Sequence, residues 1–79
     1  AIEPQHGANA LYQVVLGDYL FEAGATITAI NAYRTAAAIE PSSFWAHRNL
    51  GIALFDIGSY EEAQSSFEQA VNLPGPDGL

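Results

Sequence analysis

Few side chains in this sequence could perform chemistry. His6 and His47 are the near-neutral acid–base groups, and their spacing gives no reason for them to share a site. Nine carboxylates are scattered along the chain, and the adjacent pair Glu61 and Glu62 must point in different directions. A metal needs convergent ligands, and these do not converge. Cysteine is absent, which removes thiolate ligands, disulfides and any reading of the redox compartment. No GxxxxGK[ST] loop is present to cradle a phosphate. Neither an enzyme nor a cofactor-binding or metal-binding protein is expected.

Charge narrows the partners. Arg34 and Arg48 are the only cations other than histidine, and the formal net charge is −7. Binding to nucleic acid gains affinity by releasing counterions through Lys and Arg, so this chain is repelled by DNA, RNA and anionic lipid. A protein or peptide partner that is neutral or carries basic flanks suits the charge, as does simple solubility. No run approaches the roughly 18 apolar residues that a membrane span needs, and no basic stretch precedes an apolar leader. The expectation is a soluble segment, cytoplasmic or periplasmic, with no direct membrane contact. Its start at Ala1 fits a mature secreted product or a piece of a longer protein, and the piece is favoured.

The elements that would position any binding residues are written twice. LGDYLFEAG at 16–24 returns as LGIALFDIG at 50–58, with Leu16/Leu50, Gly17/Gly51, Leu20/Leu54, Phe21/Phe55 and Gly24/Gly58 identical. Ala29/Ala63, Tyr33/Phe67, Ala36/Ala70 and Ile39/Leu73 extend the match at the same offset. Self-similarity at this period marks a stacked unit that cannot bury its apolar face alone. The expected organisation is an N-terminal segment or remnant of a preceding repeat at 1–9, one repeat at 10–43, a second at 44–77 and a tail at 78–79. The echo of AIEP at 1–4 and 38–41 suggests that 1–4 closes an upstream unit.

Within each unit the spacing is helical. Tyr12, Leu16, Tyr19, Leu20 and Ala23 share one face of a first helix capped by Asn9 and ended by Gly24. A second helix, about 27 to 40, has Thr26 as its cap and Ala29, Ile30, Tyr33, Ala36, Ala37 and Ile39 as its stripe. Ser43 caps a third helix that Gly58 stops, and Ser59 with Glu62 forms a capping box for a fourth, reaching about Leu73 before Pro74, Gly75 and Pro76. Short turns make sequential helices antiparallel. Gly17 and Gly51 sit in mid-helix, where glycine costs roughly 1 kcal/mol against alanine. Close approach offsets that cost if Tyr33 and Phe67 lie directly on the glycine backbone, beside the small Ala29 and Ala63.

These residues resemble the tetratricopeptide repeat, whose period of about 34 residues equals the step from Leu16 to Leu50. That repeat has W-x2-L-G-x2-Y on its first helix and A-x3-F, a further alanine and a proline on its second. Leu50, Gly51, Ala63, Phe67 and Ala70 fit the second unit, and Leu16, Gly17, Ala29, Tyr33, Ala36 and Pro41 the first. Leu20 and Leu54 replace a common tyrosine, and Gln13 and His47 a common tryptophan. The resemblance implies an all-α, right-handed superhelix of two helix-turn-helix units, four antiparallel helices in all, acting as a protein interaction module. It also implies that first helices line a concave groove. The groove positions are then Leu11, Val14, Asp18, Phe21 and Glu22 from the first helix, with Trp45, Arg48, Asn49, Ile52, Phe55 and Asp56 from the third. Related grooves that clamp the terminal carboxylate of heat-shock chaperones use lysines, and here there are none.

Five of the groove residues have a second reading. Phe21 and Phe55 turn about 100° from the buried stripe and suit anchoring of a ligand, or they seal the seam between units. Trp45 stacks on a ligand or packs near Tyr33 and Ala37. Asn49 holds a ligand backbone or a neighbouring turn. Arg48, amid Asp18, Glu22 and Asp56, forms an internal ion pair or meets a ligand carboxylate. The alternative to a binding groove is a scaffold that self-associates, or stacks with neighbouring repeats, through an uncapped last helix near Val71 and Leu73, with a homo-oligomer as the result.

Overall fold

The computed structural model describes residues 3–75, and these form four helices and no strand: α1 (Glu3–Glu22), α2 (Thr26–Ile39), α3 (Phe44–Asp56) and α4 (Tyr60–Val71). Ala1, Ile2 and Pro76, on which the AIEP echo and part of the expected C-terminal stop rest, lie outside the described residues. Sequential helices pack as two hairpins, α1 on α2 and α3 on α4. The hairpins join mainly through α2 against α3, with a lighter contact between α1 and α3.

Gly24 and Gly58 close the two hairpin turns as expected, at φ +88° and +85°. The left-handed conformation lets the following amide fold back on the last turn of helix, Ala25 N–H donating to Leu20 C=O and Ser59 N–H to Leu54 C=O, both at 2.9 Å. These two bonds join matching positions of the two units. The duplication is therefore structural as well as textual.

The small residues that the period repeats mark the closest approach of the helices. Ala29, Ala36 and Ala63 are buried beneath the crossings. A Cβ built on Gly17 would stand 2.5 Å from Tyr33 Cε1, and one on Gly51 would stand 2.6 Å from Phe67 Cε1. At both positions an aromatic ring occupies the space where a side chain would begin. Val14, Ile30, Tyr33, Leu50 and Leu54 join these alanines in one core, against which Leu20, Phe21, Ala37 and Phe67 pack from the edge.

Several local expectations are corrected. Asn9 caps nothing: α1 begins at Glu3, with Pro4 in its first turn, where the missing amide costs no helical bond. The buried face of α1 is Ala10, Val14 and Gly17, while Tyr12 and Tyr19 stand in the open. This helix carries apolar residues on two sides, and spacing alone does not choose between them. Ala25, not Thr26, occupies the N-cap of α2, and Thr26 instead donates to Asp56 Oδ2 at 3.3 Å. Ser59 is the N-cap of α4 but accepts no capping bond, and Glu62 turns away to pair with Arg34 of α2 at 3.2 Å. Both partners are exposed, so that pair contributes about 0–1 kcal/mol.

Ser43 does cap α3, its Oγ accepting from Ala46 N–H at 3.2 Å. Ser43→Ala leaves that amide without its partner and should lower unfolding free energy by about 1 kcal/mol, read from the midpoint of a urea melt at unchanged slope.

Candidate functional site

One face of the molecule is built by α1 and α3 side by side with α2 behind them. Eight of the expected groove residues meet there around a cleft of ≈ 460 Å³: Leu11, Val14, Asp18 and Phe21 from α1, and Trp45, Arg48, Asn49 and Ile52 from α3. Val15 and Tyr33 complete its wall. Periodicity places Tyr33 in the core, where it is, yet its ring edge also reaches the cleft floor. Val15 belongs to no stripe that the spacing picks out, so no sequence signal marks it.

A polar chain crosses this apolar floor and ties three helices together. Tyr33 Oη donates to Asp18 Oδ1 at 2.5 Å, and Asn49 Nδ2 donates to the same oxygen at 3.0 Å. Arg48 Nη1 donates to Asn49 Oδ1 at 2.9 Å, while its guanidinium lies over the Trp45 ring, 5.5 Å from the centroid. Burial, reinforced by the bond to Asp18 and by the charges of Asp18 and Glu22, pushes the Tyr33 phenol well above its ordinary range. The proton is therefore firmly held, and Tyr33 serves as a donor that orients Asp18.

This polar chain gives two of the residues partners within the molecule. Asn49 is oriented from within the molecule, with one N–H and one lone pair of its side-chain amide left for another group. Arg48 has no carboxylate within ion-pair distance among the described residues; Asn49 and Trp45 hold it instead. Trp45 packs edge-on to Phe44 at 5.2 Å and keeps 42% of its surface exposed, so it both packs and presents a face.

Three expected groove residues lie elsewhere. Glu22 and Asp56 are exposed and do not line the cleft; Asp56 accepts from Thr26. Phe55 turns instead to Tyr60, with ring centroids 5.0 Å apart, and lines a second groove between α3 and α4 with Phe67 and Val71. Its counterpart Phe21 faces the cleft because α3 lies beside it, whereas no described helix lies beside Phe55 in that way. His47 is buried, and its Nε2 is 2.8 Å from the carbonyl oxygen of Pro41, so it ties α3 to the preceding turn. Among the described residues no group of three or more His, Asp or Glu side chains is placed to hold a metal ion. No helix among them is long and apolar enough to cross a membrane.

Paired antiparallel helices, written twice in register and crossing at glycine against an aromatic ring, define a helical-repeat protein. The TPR repeat family model matches residues 17–58, just over half of the chain, and the chain belongs to the tetratricopeptide repeat family. That repeat mediates protein–protein interaction. No curated protein and no solved structure matches the chain.

Proposed function

We propose that the cleft between α1 and α3 receives a short segment of another protein, extended or helical, with an apolar side chain as its anchor. The observation that supports this reading is the convergence of Leu11, Val14, Phe21, Trp45 and Ile52 from two helices on one open apolar cleft, crossed by a bar of oriented polar groups. Asp18 Oδ2, the remaining amide hydrogen of Asn49 and the outer N–H groups of Arg48 face a ligand backbone. The net charge of −7 favours basic flanks on the segment. Because Asp18 and Asn49 are already held by bonds within the molecule, little ordering entropy is lost when a ligand docks.

Peptides selected from a random library on the folded chain provide the test. Trp45→Ala should weaken a selected peptide about tenfold, as expected when an aromatic face at the centre of an interface is truncated. Phe55→Ala should leave that affinity unchanged, since Phe55 lines the other groove. Equal losses for both, or losses for Phe55→Ala alone, would move the binding surface away from the α1/α3 cleft.

A further inference from the structure

The contact between α2 and α3 inside the molecule is one instance of a pattern whose two outer counterparts are open among the described residues. One repeat back from α3 stands α1, and one repeat forward from α2 stands α4. α3 packs on α2, and its Ala46, Leu50 and Ala53 are exposed by only 0%, 8% and 0%. Their counterparts on α1 are Tyr12, Leu16 and Tyr19, and the two tyrosines are 63% and 70% exposed. On α2, Ile30 and Tyr33 are buried and Ala37 packs against the same core, and their counterparts on α4 are Gln64, Phe67 and Val71. These three line an open groove of ≈ 440 Å³ with Phe55 and Tyr60, and Val71 is 75% exposed.

One end of the molecule therefore presents a helix face, and the other presents the kind of groove in which such a face lies inside the molecule. We propose that a second copy of this chain covers both: α1 of one copy lies in the α3/α4 groove of the next, continuing the α2/α3 contact between molecules. The polar positions agree with that register. Thr26 donates to Asp56 within the molecule, and the counterpart pair between copies is Tyr60 with Glu22, again a hydroxyl facing a carboxylate. Arg34 pairs with Glu62 within the molecule, and the counterpart pair is Glu68 with Thr28, a carboxylate facing a hydroxyl. In neither counterpart pair does an acid meet an acid. Tyr12 and Tyr19 are larger than the alanines they stand for, so the docked helix stands farther off. Their hydroxyls then reach Gln64 and Glu68 at the groove rim.

The two faces differ, so the contact is head-to-tail and leaves a free groove and a free helix at the ends of every assembly. Each copy carries a charge of −7, so added salt should strengthen association by screening the repulsion between copies.

Sedimentation of the 79-residue chain up to about 1 mM, in low salt and in about 0.5 M NaCl, reads this directly. Mass should rise with concentration without settling at a closed oligomer, and rise further in salt. Tyr19→Glu and Val71→Glu change exposed positions, which keeps the fold intact, as helicity and melting temperature will verify. Each variant alone should be monomeric. An equimolar mixture should form a heterodimer and stop there, because it pairs one intact groove with one intact α1. A wild type that stays monomeric throughout, a mixture that stays monomeric, or a single variant that still assembles would each overturn the proposal.

Discussion

Gly17→Ala is expected to destabilise the fold by about 2 kcal/mol, while Gly51→Ala costs less than about 1 kcal/mol, although the two glycines hold matching positions in the repeat. The new methyl group meets nearly the same obstacle in each case: Tyr33 Cε1 at 2.5 Å or Phe67 Cε1 at 2.6 Å. Each substitution also recovers about 1 kcal/mol of helix propensity. What differs is the freedom of the ring. Tyr33 is 2% exposed, wedged between α1 and α3, with its hydroxyl bound to Asp18, so it cannot retreat without surrendering that bond. Phe67 is only half-buried and borders the open α3/α4 groove, into which it can swing. Overpacking in a closed site costs about 1–3 kcal/mol, and surrender of a part-buried hydrogen bond adds about 1 kcal/mol. For a domain of this size the difference amounts to roughly 4–8 °C in melting temperature per kcal/mol, measured on dilute protein so that the groove is uncovered. Equal losses at the two sites would show that ring mobility does not decide the cost.

The same contrast explains what is legible in the sequence. A duplicated hairpin is readable because both copies meet one geometric demand: a left-handed residue at Gly24 and Gly58, and a bare backbone beneath an aromatic ring at Gly17 and Gly51. These demands are local and tolerate few residue types. The cleft is partly legible for the same reason, since residues one position past a core leucine must turn away from the core, and Phe21 does so into the cleft.

Where pseudo-symmetry breaks, the reading fails. Phe55 repeats Phe21 in sequence, yet the helix that gives Phe21 its place has no described counterpart beside Phe55. Tyr12 and Tyr19 have core spacing, but they belong to the second apolar side of α1, and a helix that is apolar on two sides gives no period that selects one. Ser59 and Glu62 have capping-box spacing, but Arg34, far away in sequence, competes for the Glu62 carboxylate. Long-range partners override short-range signals whenever the local bond is worth no more than about 1 kcal/mol.

Tyr33 makes the second large prediction, a loss of stability in alkali. In the folded chain its proton is retained well above the ordinary tyrosine range because of burial first, then the hydrogen bond to Asp18, then the charges of Asp18 and Glu22. In the unfolded chain the same phenol ionises near 10.0. Above that pH the native state binds the extra proton, so stability falls as pH rises, by about 1.4 kcal/mol for each unit until the folded phenol itself ionises. Two units above the ordinary value remove about 3 kcal/mol, a large share of the roughly 4–12 kcal/mol that a chain of this length possesses. Urea melts between about pH 8 and 12 should show that decline. Tyr33→Phe should cost about 1 kcal/mol at neutral pH through the bond to Asp18, yet decline far less steeply in alkali, so that the two stability curves cross. If both proteins lose stability with the same slope, the alkaline sensitivity arises elsewhere, and Tyr33 is not the proton donor that orients Asp18 beneath the cleft.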